Sequence, residues 1–274
     1  MLYTYAVTPS NPPRKPDAPA AGRPPSAAAA VLPAPPRLPR RRDAPGRRTA
    51  LSVDGIVAAA IEALDEGGMA GLSMRRVAER LGTGAASLYA HVSGREELLE
   101  LVFDELVGQV ALPQPDPSIW REQIHQMMGG LRAVLVSHRD AALAGLGRIP
   151  TSPKVLTAAE VLVAVMRAGG LSDRVAALGL DQLILLVSAT AFEDGLMEHG
   201  GMSPEEVDRY HADVHVFYEA LPAERFPVLA SIAAEMTGAD GDERFEFGLS
   251  VLIAGLEALS AAEGSQTPRD HGAQ

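Results

Sequence analysis

From Leu51 onward, apolar residues recur at helical spacing. Ile56, Ala59, Ala60, Ala63 and Leu64 fall at i, i+3, i+4, i+7 and i+8, which makes one face of an amphipathic helix. Ser52 stands where an N-cap is needed, and Gly67-Gly68 where the helix should stop. Ser73 then opens a short helix carrying Met74, Val77, Ala78 and Leu81 on one face, and Gly82 can supply its left-handed C-terminus. A further short helix over about Ala85–His91 follows a three-residue turn, with Leu88 and Val92 facing inward. Ser93-Gly94-Arg95-Glu96 has the spacing of a capping box for the next helix, continued by Leu98, Val102 and Leu106. Pro113, Pro115 and Pro117 then interrupt the chain. Beyond them Trp120, Ile124, Met127, Leu131 and Val134 form a new stripe, and Pro153 and Gly169-Gly170 bracket another helix. Ser172 to Gly200 reads as a long, very apolar helix. Ser203-Pro204-Glu205-Glu206 is a second capping box with proline at the first helical position, and a final helix covers about 242–263. With no alternating segment and no internal repeat, the pattern predicts an all-α protein.

Composition changes the picture at the N-terminus. Residues 1–50 hold twelve of the 21 prolines and nine basic residues against two acidic ones. Such a stretch favours extended, solvated chain over packed structure, so 1–50 is expected to be a disordered Pro/Arg/Ala-rich arm. It serves either as a solubilising extension, or sequence upstream of the true start, or as a basic arm whose Arg37–Arg48 run lies along phosphates. The rest divides into 51–110, 117–264 and a disordered tail, 265–274. The net charge of −11 belongs to the body, since 51–110 is net −6 and the remainder net −12. The absence of cysteine excludes disulfides, a thiol nucleophile and cysteine zinc sites. The longest candidate for an apolar span, 182–192, is about half of the roughly 20 residues a bilayer span needs and sits between Asp181 and Glu193. No membrane partner and a cytoplasmic location are therefore expected.

Three helices, the second and third short and joined by a glycine-containing turn, make a helix-turn-helix. In that motif the later helix enters the major groove of double-stranded DNA. Ser73, Arg75, Thr83, Ser87, Tyr89, His91 and Arg95 are polar residues suited to phosphate contact. Gly84 lets the backbone approach at the start of the third helix, beside Ala85.

The segment LSMRRVAERLGTGAASLYAHVSGREELLELV strongly resembles the DNA-binding segment of TetR-type transcriptional regulators. Leu72-Ser73-Met74-Arg75, Val77-Ala78, Leu81-Gly82, Leu88-Tyr89, His91-Val92, Arg95 and Leu98-Leu99 sit in family register. The resemblance implies that Arg75, Ser87, Tyr89, His91 and Arg95 touch DNA. Tyr89, His91 and Arg95 would anchor phosphates and Arg75 reach a base edge. The third helix opens Gly84-Ala85-Ala86, leaving few long side chains for direct readout, so thymine-methyl contact and DNA shape should carry much of the specificity. Trp120, SHRDAALAGLGRIP (137–150), Arg167-Ala168-Gly169-Gly170-Leu171 and FEFGLSVLIAGLEAL (245–259) look like the C-terminal domain of the tetracycline-repressor subfamily. That resemblance implies an N-terminal three-helix helix-turn-helix domain followed by a larger helical domain that binds an effector and dimerises, with 173–199 and 242–263 pairing across the dimer.

The expected function is that of a one-component regulator, a homodimeric repressor released from an inverted-repeat operator by a small molecule. The alternatives are a ligand-binding helical protein or an activator without ligand control. No nucleophile–base pair or metal triad is legible, so neither enzymatic activity nor a cofactor is expected. Trp120, Met127, Leu131, Leu146, Met166, Glu193 and Met197 are the candidate effector contacts. Glu193 falls in register with a pocket carboxylate of the subfamily. The segment that holds its magnesium-binding histidine, however, has Gly145 here and no histidine, which argues against tetracycline as effector. His211 and His215 have metal-ligand spacing, but two solvated histidines on a polar helix face are the better account of them, and no metal is expected.

Overall fold

The computed structural model describes residues 51–145, 151–201 and 203–266. The basic arm, the segment 146–150 with Leu146, and the tail from 267 lie outside the described residues. Among the described residues every regular element is helical.

Four helices build the N-terminal part: α1 Val53–Gly71, α2 Met74–Arg80, α3 Ala85–Leu88 and α4 Arg95–Val107. Ser52 caps α1 by accepting from the Gly55 amide, and Ser73 caps α2 by accepting from Arg76. Gly68 breaks α1 as expected, at φ 60°, but one more turn, Met69–Gly71, follows the break. Gly82 takes φ 62° between α2 and α3. Ile56, Ala60 and Leu64 of α1 close over Val77, Leu88, Val92, Leu98 and Val102, all essentially solvent-free. The expected Ser93 capping box is displaced by one residue. Gly94 is the N-cap, and the Ser93 amide donates to Glu97 rather than Glu96, at 2.5 Å.

The larger part comprises α5 Trp120–Ser137, α6 Ala141–Gly145, α7 Pro153–Ala168, α8 Asp173–His199, α9 Pro204–Glu219, α10 Pro227–Ser231, α11 Ala233–Gly238 and α12 Gly241–Gln266. Ser172 caps α8, and Ser203 with Glu206 forms the expected capping box on α9. Helix α8 is the hub, packed against α5, α6, α7 and α12. One half-buried guanidinium ties three of these together. Arg132 of α5 bonds Asp194 of α8 at 2.8 Å and Asp242 of α12 at 2.5 Å, and stacks 4.9 Å from the Phe245 ring centroid.

Helix α12 is apolar on two opposite faces. Phe245, Leu249, Ile253 and Leu256 are buried against the core, while Phe247, Val251 and Leu259 point to solvent at 70%, 54% and 60% exposure. Leu178, Leu185 and Leu196 of α8 are similarly exposed. By length and composition both helices are apolar enough to cross a membrane, which the charge-bounded run at 182–192 did not suggest. A helix apolar all round requires a second apolar surface against it.

Contacts do not separate 51–110 from 117–264, because α4 belongs to both. It packs on α1 on one side and on α6 and α7 on the other, with Phe103 against Gly145 of α6 and Asp104 on the start of α7. Asp104, 8% exposed, accepts from the Lys154 and Val155 amides at 2.8 and 3.0 Å. It therefore caps α7 from another helix, and Ser152, the local N-cap residue, makes no side-chain cap bond. Asp104→Ala leaves two amides without their acceptor and should lower unfolding free energy by about 2–3 kcal/mol in urea titration. A loss below a few tenths would show that water replaces the carboxylate.

Candidate DNA-reading surface and effector cavity

The loop between α2 and α3 is set by Gly82, by the Thr83 amide bonding to Ala78 O at 2.9 Å, and by Gly84 as N-cap of α3. Helix α3 itself covers only Ala85–Leu88. Tyr89–His91 continue as a turn, with the His91 and Val92 amides both on Leu88 O at 2.9 Å. Burying Leu88 and Val92 turns the opposite side outward. Gly84, Ser87, Tyr89 and His91 are exposed there, Tyr89 at 56%. Ser73, Thr83 and Ala85 are half-buried at the same edge, and the Ser73 hydroxyl is occupied in capping α2. Arg75 projects from α2 with its side chain 83% exposed, in an i,i+4 pair with Glu79 at 2.8 Å.

Two other arginines of this part are committed internally. Arg80 bonds Glu62 at 2.6 Å and Glu66 at 2.8 Å, which ties α2 to α1. The bond to Glu66 raises the Arg80 pKa further and lowers that of Glu66. Arg95, expected from the resemblance to anchor phosphate, has its side chain 40% exposed and donates Nε to Leu72 O at 3.1 Å and Nη2 to Met69 O at 3.0 Å. It props the last turn of α1, whose carbonyls have no helical partner. Of the nine expected DNA contacts, Arg75, Gly84, Ser87, Tyr89 and His91 are the exposed set.

A cavity of about 280 Å³ opens among α4, α5, α7 and α8. Its wall includes Phe103 and Val107 of α4, Met127 and Leu131 of α5, Val155, Ala158, Ala159 and Leu162 of α7, and Ala177, Leu180, Asp181 and Ile184 of α8. On α7 and α8 these residues recur at i, i+3, i+4 and i+7. Alanines within the stripes leave the space that larger side chains would fill. Four expected effector contacts are not in this wall. Trp120, 3% exposed, packs so closely on Gly169 that a Cβ there would lie 2.3 Å from the indole. Met166 is fully buried and backs onto Gly179. Glu193 is exposed and bonds Arg244 at 2.8 Å. Met197 is half-buried near the end of α8. His215 bonds Thr237 at 2.5 Å, and no group of three metal-ligating side chains occurs among the described residues.

Residues 56–102 match the sequence family described as bacterial regulatory proteins of the tetR family, and residues 112–260 match the tetracyclin repressor-like C-terminal domain. The chain belongs to the TetR family. An HTH-type transcriptional regulator of Saccharopolyspora erythraea is 33% identical over 78% of this chain and 87% of its own length. The transcriptional repressor DrrR1 of Streptomyces coeruleorubidus is 32% identical over 81% of this chain and 83% of its own. The crystal structure of the TetR family protein ActR of Streptomyces coelicolor in complex with actinorhodin is 40% identical, with TM-score 0.72, over 78% of this chain and 98% of its own. The TetR matches place α2 and α3 within the regulatory head and most of the cavity wall within the C-terminal domain. The TetR family consists of transcriptional regulators, not enzymes.

Proposed function

We propose that this chain is a homodimeric repressor that holds an inverted-repeat operator through two copies of the α2–α3 edge and lets go when a small molecule fills the cavity. The observation that carries the reading is α4. One rigid helix closes the reading head at its N-terminal end and lines the cavity with Phe103 and Val107 at its other end. An occupant that repositions α4 must therefore reposition the head. Release requires that the molecule bind the non-reading conformation better, and a complete switch needs roughly 10⁴-fold preference. The outward apolar faces of α8 and α12 would be buried against the second copy, which sets the two heads about one DNA turn apart. Such a protein acts where the DNA is, in the cytoplasm. Arg75 is the best placed side chain for a base edge, and Tyr89 and His91 for phosphates.

The test is a gel shift with the DNA upstream of the chain's own gene. Tyr89→Ala with His91→Ala should weaken binding by roughly tenfold to a hundredfold and reduce its salt dependence. Both side chains are exposed, so thermal stability should stay unchanged. Undiminished binding by this double variant would remove the proposed reading surface.

A further inference from the structure

The three arginines of α2 divide between two flanks of the helix. Val77 and Ala78 are buried, which turns residues 75, 76, 79 and 80 outward in two i,i+4 pairs. Arg76 and Arg80 make the flank that faces α1. Arg80 bonds Glu62 and Glu66 there, and a Cβ on Gly67 or Gly71 would stand 3.1 or 3.2 Å from Arg76 Nη1. Arg75 and Glu79 make the other flank. Arg75 Nε donates to Glu79 Oε1 at 2.8 Å, and the two side chains are 83% and 58% exposed. So exposed a pair adds little to folding. At a surface that meets DNA its carboxylate is unfavourable for affinity, because it faces a strand of phosphates with the same charge.

The geometry of the pair gives that carboxylate a use. A guanidinium has five N–H donors. With Nε given to Glu79, the outer edge of Nη1 and Nη2 is left, and two donors side by side match O6 and N7 of guanine. The Nε side is closed to a phosphate. Because α3 opens with Gly84-Ala85-Ala86, the aim of Arg75 bears heavily on sequence discrimination. Specificity is a difference of affinities, and a repulsive group can supply it.

We infer that Glu79 is a specificity-determining positioning residue, which holds Arg75 for a guanine edge in the major groove and keeps it from the phosphates. This rests on the reading above, in which the α2–α3 edge meets DNA.

The probes are duplexes of the DNA upstream of the chain's own gene, in which each guanine of the footprint is replaced in turn by 7-deazaguanine, and a shuffled duplex of the same composition. For the full, unmodified chain, loss of N7 at one guanine in each half-site should weaken binding by roughly tenfold, and Arg75→Ala should erase that sensitivity. Glu79→Gln should bind the shuffled duplex several-fold more tightly and steepen the salt dependence by about one unit of slope. It should also reduce the 7-deazaguanine effect to about threefold or less. In the Arg75→Ala background the same substitution should leave the ratio of upstream to shuffled binding unchanged, since Glu79 then has no arginine to direct. Thermal melting should be unaltered in every variant. A ratio untouched by Glu79→Gln, or altered equally in both backgrounds, overturns the inference, as does indifference to every guanine N7. Tyr89→Ala with His91→Ala separates this from failure of the underlying reading. If that variant binds less well while Glu79→Gln leaves the ratio as it was, only the role of Glu79 fails. If that variant binds undiminished, the reading surface fails and the role of Glu79 with it.

Discussion

Phe247→Asp combined with Val251→Asp should give a folded monomer whose operator affinity has fallen by more than about a hundredfold. Both side chains project from α12 at more than half exposure, so the substitutions remove little packing within one chain. In the proposed dimer they would bury four carboxylates among apolar partners. Each unpaired buried charge costs several kcal/mol, more than an apolar helix pair of this length can offset. Operator affinity falls further than the contacts alone suggest. A dimer engages the second half-site at high effective concentration, and a monomer has no such advantage. Sedimentation equilibrium gives the mass, and circular dichroism should show the helix content unchanged. Leu249→Asp is the informative contrast. That residue is fully buried on the opposite face, so its replacement should unfold the chain rather than dissociate it. If the double aspartate variant remains a dimer, the outward face of α12 is not the interface.

The features legible in the sequence were those decided within a few residues. Ser52, Ser73, Ser172 and Ser203 cap the helices they precede, and Gly68 and Gly82 break the chain where a left-handed conformation is needed. Periodicity also indicated the faces, since Ile56, Ala59, Ala60, Ala63 and Leu64 of α1 and Trp120, Ile124, Met127 and Leu131 of α5 are buried. What periodicity could not decide is whether an apolar stripe meets another surface or a void. Val155, Ala158, Ala159 and Leu162 have the spacing of any core stripe, and only the alanines opposite Met127 and Leu131 make a cavity of it. Large apolar residues did not by themselves mark this wall. Trp120 and Met166 fill space against Gly169 and Gly179 rather than enclose it. Polar residues take partners that lie far away in sequence. Glu193 is paired with Arg244, 51 residues on, and the Arg95 guanidinium is taken up by carbonyls at 69 and 72, which no local rule anticipates. Asp104 went unnoticed for the same reason, since the helix it caps begins about fifty residues later.

The second large effect is expected where the reading head meets the body. The kink in α1 leaves the Met69 amide without a helical acceptor, and Asp140, in the turn before α6, accepts from it at 2.8 Å. His138 lies 3.0 Å from both Asp65 oxygens, so one short turn clasps α1 at two points. Gly68 makes this possible twice over. Its φ of 60° is strained for any side chain, and a Cβ there would stand 2.2 Å from Asp140 Oδ2 and 3.1 Å from Arg139 Nε. Gly68→Ala must therefore distort the kink and expel the carboxylate together. The backbone penalty of about 1 kcal/mol and the lost acceptor at 1–3 kcal/mol predict a loss of about 2–4 kcal/mol in urea unfolding. The Asp140 variants separate the two contributions. Asp140 itself sits at φ 57°, so Asp140→Gly removes the carboxylate while relaxing its own backbone and should cost less than Gly68→Ala. Asp140→Asn tolerates the same conformation, keeps an acceptor oxygen and should recover most of the difference. The far end of α6 is Gly145, a wall residue seated against the Phe103 ring, so this clasp also joins the cavity to α1 through a five-residue helix. Operator affinity should then follow the clasp and not stability alone. Asp140→Gly is expected to weaken DNA binding well below the melting range, and Asp140→Asn to restore it. If Asp140→Gly binds the operator as the unmodified chain does, the clasp is a matter of stability, and α4 alone connects the cavity to the head.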